Sequence, residues 1–244
     1  MLLKPQGKNS SQLFSGQGVS NASKMVYGAN EKLYLTLIRK TFSPKETIQL
    51  VDLGGFKGEF TSRILKDLPS YKFEVTAVDS SASALKLNQT AKIKLCKDLT
   101  KTTLPNKYAT LTILRYVLSW NTLKEQEGIL KEAKRITNKF LIISHQGPLE
   151  EEAKNWRTKW AKLFSGRIIR KLKREGYYFS SAQDIESLMD TLQLKYKQVE
   201  QKNVKNILDL FVEKYALSKS ETEKARAIVT GVNTIQITTW IIKV

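Results

Sequence analysis

The sequence predicts an α/β protein with a doubly wound sheet, mostly parallel and with an antiparallel edge strand. Three observations lead there. Short apolar runs of strand length recur between residues 48 and 144, and amphipathic segments separate them. The first run is followed at once by a glycine-rich turn opening into a helix, GGFKGEFTSRILKDL. Strands alternating with helices at this spacing imply right-handed crossovers and parallel neighbours.

Residues 1–23 are rich in Ser, Gly, Gln and Asn and read as a loose arm. KMVYGANEKLYLTLIRK (24–40) reads as a helix, and Ser43-Pro44 ends it. IQLVDL (48–53) is a short run that is apolar but for Gln49 and Asp52, as in a strand buried on both faces. KFEVTAVD (72–79) is a second such strand, and SSASALKLNQ a helix with serine caps. AKIKLC (91–96) is the third strand, and YATLTILRYVL (108–118) contains the fourth. LKEQEGILKEAKRI (123–136) places Ile129, Leu130, Ala133 and Ile136 on one helix face, and FLIIS (140–144) is the fifth strand.

The C-terminal part is less regular. Residues 149–175 read as a basic helix and 180–194 as a capped one. YKQVEQKNV (196–204) and NTIQITTWIIKV (233–244) read as strands, with polar helices over 206–217 and 219–229. No adequate apolar crossover joins these late strands, so they are expected to be antiparallel neighbours at the sheet edge. The expected organisation is an N-terminal arm and helical cap (1–44), then one domain (45–244) with lid insertions near 146–178 and 205–231.

Composition narrows the class. The 244 residues are 41% hydrophobic and 26% charged, ordinary for a soluble globular protein. No apolar run reaches the length of a membrane span, and the first residues lack a signal-peptide core. One cysteine and one histidine cannot build a Cys/His zinc site, so no metal is expected. A reducing, cytoplasmic setting follows. The net charge of +18 suits nucleic acid (RNA here), a membrane surface or an acidic small molecule, although lysine excess alone also produces it.

In an open parallel sheet, ligands bind beyond the carboxyl ends of the strands. Asp52, Gly54, Gly55 and Gly58 follow the first strand, Asp79 ends the second, and Asp98 lies just past the third. Arg115 and Tyr116 end the fourth, and His145 follows the fifth. Glycines there let a ligand approach the backbone at the positive end of a helix, and a carboxylate ending the second strand can accept both hydroxyls of a ribose.

In this order VDLGGFKGEF, AVDSS, LCKDLT, YATLTILRYVLSW and ILKEAKRITNKFLIIS resemble the successive motifs of the class I, Rossmann-like methyltransferases that use S-adenosyl-L-methionine. The resemblance runs from about residue 24 to 244. It implies that Gly54, Gly55 and Gly58 approach the methionine part of the cofactor. Asp79 would hold the ribose hydroxyls, Asp98 and Leu99 the adenine, and Leu114 with Arg115 the amino-acid end; Asp52 opens the motif. The family pattern is D-x-G-x-G-x-G, and Phe56 stands where the middle glycine usually sits. A loop with Phe56 there is expected to avoid a glycine-only conformation.

The nicotinamide fingerprint G-x-G-x-x-G is absent, and the fourth strand ends without the Asn/Asp-Pro-Pro-Tyr element of adenine-amine methylation. Cys96 is expected in the core rather than as a nucleophile. His145 is the candidate general base, since its ordinary pKa suits removing a proton from a hydroxyl or ammonium nucleophile. Tyr27, Tyr34, Tyr116, Trp120 and Trp156 are candidate pocket residues. Lys154–Arg174 holds nine Lys/Arg and no acid, with aromatic residues interleaved: a lid over an acidic substrate, an RNA contact, a membrane-surface helix or a solvated helix. The expected activity is methyl transfer to an O or N nucleophile of a small metabolite. RNA methylation and a cofactor-impaired binding module are the alternatives.

Overall fold

The computed structural model describes residues 30–163, 179–205, 207–209 and 218–244. The elements in order are α1 (Glu31–Thr41), β1 (Thr47–Leu53), α2 (Glu59–Asp67), β2 (Lys72–Asp79), α3 (Ala82–Leu87), β3 (Ile93–Cys96), β4 (Ala109–Arg115), α4 (Leu123–Ile136), β5 (Thr137–Gly147), α5 (Ala153–Leu163), α6 (Ala182–Thr191), β6 (Tyr196–Lys205), α7 (Lys219–Ile228) and β7 (Thr234–Lys243). The seven strands form one sheet in the order β3-β2-β1-β4-β5-β7-β6. The first five are parallel, and β7 runs antiparallel between β5 and β6. The late strand pair therefore sits at the sheet edge as expected, and the order reverses between β1 and β4, the usual place for a ligand crevice.

Apolar layers cover both faces. On one, Tyr34, Leu35 and Ile38 of α1 pack with Ile48 and Leu50 of β1, Ile64 of α2 and Ile113 of β4. The N-terminal helix thus packs as a layer on the main core. On the other face, Ile129, Leu130 and Ala133 of α4 and Ile185 and Met189 of α6 pack on Val51, Leu114 and Ile143. Helix starts follow their capping residues: Thr122, Ser181 and Ser218 each form a reciprocal box with the acid three residues on.

Two boundaries depart from the sequence reading. β5 extends at both ends beyond residues 140–144: Thr137 pairs with Ala109 of β4, and β7 supplies a ladder partner for Phe140 through Gly147. β3 is shorter and mostly exposed, since it is the outer strand of the sheet. Cys96 is accordingly exposed, with its thiol toward the Ser80 carbonyl, which corrects its expected place in the core. The arm 1–23, and the parts of the expected helices at 24–29, 164–175 and 210–217, lie outside the described residues.

At the opposite end from the glycine turn, a charged strut holds the loop before β4. Glu132, 7% exposed, accepts from the Thr102 amide (2.8 Å) and hydroxyl (2.6 Å). Arg135 grips both carboxylate oxygens at 2.7 Å and reaches Asn106 and the Leu104 carbonyl. Burial pushes the Glu132 carboxyl up, but the hydrogen bonds from Arg135 and Thr102 outweigh it and hold the group below its ordinary value. A depressed carboxylate stabilises above its unfolded pKa and loses that contribution as pH falls below it. Glu132→Gln is therefore expected to cost about 2 kcal/mol at pH 7 and less below about pH 4, read by urea denaturation at the two pH values. An equal cost at both would show that the charge contributes nothing.

Candidate active site

The glycine turn is built by hydrogen bonds and close contacts. The Gly54 amide donates to the Val78 carbonyl at 2.7 Å, tying the turn to β2. Gly54 has φ +84°, and a Cβ there would lie 2.2 Å from Val117. Gly58 ends the turn at φ +76° as the residue capping α2, and a Cβ there would meet the Asn88 amide at 2.6 Å. Asn88 is a turn residue whose carbonyl oxygen accepts from the amides of Thr90 and Ala91, while its Nδ2 donates to the Phe56 carbonyl at 3.3 Å. The sequence marks Asn88 only as the residue after a short helix; its reach to the turn is a tertiary fact.

Phe56 overturns an expectation. Its φ is +44°, in the left-handed region that favours glycine. Its amide donates to Asp79 Oδ2 at 3.0 Å, its carbonyl accepts from Asn88, and the Lys57 ammonium lies 5.7 Å from its ring. The surrounding bonds hold a side chain in a conformation that disfavours one. Phe56→Gly should therefore exceed Phe56→Ala in stability by about 1 kcal/mol, since both lose the ring and only Ala keeps the strain. Thermal unfolding checks this, with the glycine variant expected about 2–4 °C higher; a lower glycine variant would contradict the strain.

Two carboxyls stand at this end of the sheet. Asp79 accepts from Phe56 and from the Ser81 amide at 2.8 Å and remains half-buried; burial pushes its carboxyl up, opposed by those bonds. Asp52 is buried and accepts from the Thr61 hydroxyl at 2.5 Å. Desolvation pushes it up to about 6, against the Thr61 bond and the Arg115 charge. A Cβ on Gly55 would lie 2.8 Å from that carboxyl, so Asp52 braces the turn from behind.

Arg115, after β4, places its guanidinium 4.2 Å from the ring centroids of both Phe60 and Tyr116. Phe60 was not singled out in the sequence, where it reads as an ordinary helix residue. Tyr116 has φ +58° and donates its amide to the Ser144 carbonyl at 2.7 Å. Leu114 is fully buried in the core, leaving only its backbone near the site. Asp98 is exposed and caps its own turn through the Thr100 amide and hydroxyl, both at 2.8 Å, while Leu99 packs on the core edge.

His145 is 1% exposed, and its Nε2 pairs with the Ser180 carbonyl at 2.7 Å. A carbonyl only accepts, so Nε2 carries the proton. Nδ1 faces the Ser119 hydroxyl at 3.4 Å, and that hydroxyl donates to the Gln146 carbonyl. Burial pushes the ring down to about 4. The expected general base is corrected: His145 is a buried tie between β5 and the start of α6.

The segments expected as lid insertions meet where described. Trp156 of α5, Ala225 of α7 and Val229 join Ile207, Leu208 and Tyr116 in one apolar cluster. Trp156 packs on Phe179 and donates to the Thr234 carbonyl at 3.1 Å, so this aromatic of the basic segment faces inward. Tyr34 is fully buried with its hydroxyl 2.8 Å from Ser144. Tyr27, the side chain of Trp120 and residues 164–174 of the basic segment lie outside the described residues.

Residues 51–140 match the family described as Methyltransferase domain, spanning the glycine turn, Asp79 and β4. Over that stretch the chain is similar to methyltransferases. The YcgJ protein from Bacillus subtilis shares the fold at TM-score 0.64 and 11% identity, over 87% of this chain and 98% of that one. A geranyl diphosphate methyltransferase solved with its substrate and sinefungin does so at TM-score 0.59 and 12% identity, over 88% and 77%. The [4+2]-cyclase SpnF does so at 0.57 and 12%, over 87% and 81%. No curated protein matches the chain in sequence. Among the described residues, no helix is long and apolar enough to cross a membrane, and no group of His, Cys, Asp and Glu could hold a metal ion.

The donor set at these strand ends would suit S-adenosyl-L-methionine chemically. A half-buried carboxylate suits ribose hydroxyls, and a guanidinium beside a helix N-terminus suits an amino-acid carboxylate.

Proposed function

We propose that the protein methylates an oxygen or nitrogen nucleophile of a small metabolite in the cytoplasm. The observation that carries this reading is the apolar cluster that α5 and α7 form around Tyr116, directly after β4. Two lid segments joined over the strand ends suit a small, enclosed ligand from which water is excluded. The exposed free thiol of Cys96 fits a reducing compartment.

Gly54, Gly55 and Gly58 would admit the methionine part of the cofactor, with Asp52 keeping the turn in place. Asp79 would accept from the ribose hydroxyls, using lone pairs left after its two amide bonds. Asp98 and Leu99 would border the adenine, and Arg115, with the Leu114 backbone, the amino-acid end. The bound cofactor supplies a methyl group already activated on a sulfonium. The chain then contributes positioning and dryness, and the acceptor is taken in a form that needs no proton removed by His145.

Asp79→Ala is expected to weaken S-adenosylmethionine binding by about 1–3 kcal/mol, the cost of leaving ribose hydroxyls unpaired. Calorimetry of the wild type and the variant, with the cofactor and with S-adenosylhomocysteine, reads it. Wild-type affinity in the micromolar range, about −8 kcal/mol, with unchanged affinity in the variant would remove Asp79 from the site.

A further inference from the structure

One buried polar cluster is left over from the cofactor reading. Asn30 at the start of α1, Tyr34 one turn on, Ser144 of β5 and Thr239 of β7 are each no more than 1% exposed. Ser144 and Thr239 are direct partners in the β5–β7 ladder. Asn30 Nδ2 donates to Ser144 Oγ at 3.2 Å and to Thr239 Oγ1 at 2.8 Å, which uses both amide hydrogens. The Tyr34 and Ser144 hydroxyls are 2.8 Å apart, as are those of Ser144 and Thr239.

The hydrogens do not balance. Three hydroxyls bring three hydrogens, and the contacts among them use two. One hydroxyl hydrogen is left without an acceptor, while Asn30 Oδ1 is buried without a donor. Buried polar groups rarely stay this way, because desolvation is then uncompensated. The missing group must donate once and accept once. An ammonium only donates, and a carboxylate or phosphate only accepts; a hydroxyl does both.

The cluster also borders the reaction end of the sheet. The Arg115 charge, Tyr116 and Asp52 all act on the Tyr34 hydroxyl, and the Tyr116 amide is bonded to the Ser144 carbonyl. We propose that Asn30, Tyr34, Ser144 and Thr239 form the subsite that seats a hydroxyl group of the substrate, which makes the substrate a hydroxyl-bearing molecule. This rests on the small-metabolite reading above.

Crystals of the full chain with S-adenosylhomocysteine, untreated and soaked in ethylene glycol, test it. The untreated crystal is expected to hold a water within about 3.2 Å of Asn30 Oδ1. In the soaked crystal a glycol hydroxyl is expected in its place, and in Asn30→Leu crystals neither. A water that glycol never displaces would make the position a structural water site and overturn the proposal. So would a chain atom bonded to Oδ1, an empty position, or glycol bound equally in the variant, an adventitious additive only. Calorimetry of the same wild-type protein with S-adenosylhomocysteine keeps the two readings apart: no binding there would sink the methyltransferase reading, whereas the glycol result judges the subsite.

Discussion

Gly147→Ala is expected to cost about 3 kcal/mol or more, the largest loss from any single added methyl group considered. Gly147 ends β5, and a Cβ there would lie 2.0 Å from the Ser180 carbonyl oxygen and 2.9 Å from His145 Nε2. The obstructing atom is backbone, so no rotamer change relieves it. Ser180 and Ser181 are fully buried. Ser181 caps α6 in a reciprocal box with Asp184, and the Ser180 hydroxyl donates to Gln126 of α4 at 2.7 Å. Moving Ser180 aside would shift the start of α6 and lengthen the His145 bond. Overpacking of this kind sits at or beyond the upper end of its usual 1–3 kcal/mol range. Thermal unfolding is expected to fall by roughly 6–12 °C. Gly231→Ala is the comparison: Gly231 has φ +78° but nothing within 4 Å of a new Cβ, so only backbone strain of about 1 kcal/mol applies. If Gly147→Ala costs no more than Gly231→Ala, the close crossing of β5 and Ser180 is not what limits this position.

What the sequence revealed and what it hid divide along physical lines. β2 and α4 were legible to the residue, because each is a run whose pattern and caps are local: an apolar strand ending in Asp79, and an amphipathic helix opened by Thr122 and Glu125. The antiparallel placement of β7 was legible from the absence of a crossover helix. The extension of β5 to Gly147 was not, since it depends on β7, distant in sequence, as ladder partner. The exposure of Cys96 follows from β3 lying outermost, and strand order is not written in a four-residue segment. The same holds at the site. Glycines 54 and 58 and Asp79 announce themselves by residue type and position. The left-handed Phe56, the Asn88 clamp and the stacking of Phe60 on Arg115 arise only when separate elements meet. His145 misled because its position near the carboxyl end of β5 is right for a base, while its side chain points into the layer under α6.

His145→Asn is expected to cost about 3 kcal/mol at pH 7 and much less near pH 4, without removing a titration from the rate. The cost at neutral pH comes from an unfilled space in the core and from the Ser180 carbonyl left without its ring donor. Its pH dependence follows from the direction of the pKa. Burial lowers the folded-state value from 6.5 to about 4, against the opposing pull of the Ser180 bond and Asp184. Below pH 6.5 the unfolded chain takes up a proton that the folded protein refuses. The contribution is therefore present above 6.5 and lost as pH falls to about 4, some 3 kcal/mol in all. Asp52 works the other way: its carboxyl is raised from 3.8 to about 6, so its contribution is present below 3.8 and lost as pH rises through 6. Between pH 4 and 6 the two slopes oppose in the wild type, and His145→Asn exposes the Asp52 slope, gaining stability on acidification relative to the wild type. Urea denaturation of both proteins at pH 7, 5.5 and 4.5 measures the difference. A cost that stays constant across that range would mean that His145 is not held neutral in the fold. A folded variant whose kcat loses an acid limb near pH 6.5 would restore the histidine as a base, because a ring held near 4 and already donating to Ser180 has no such limb to lose.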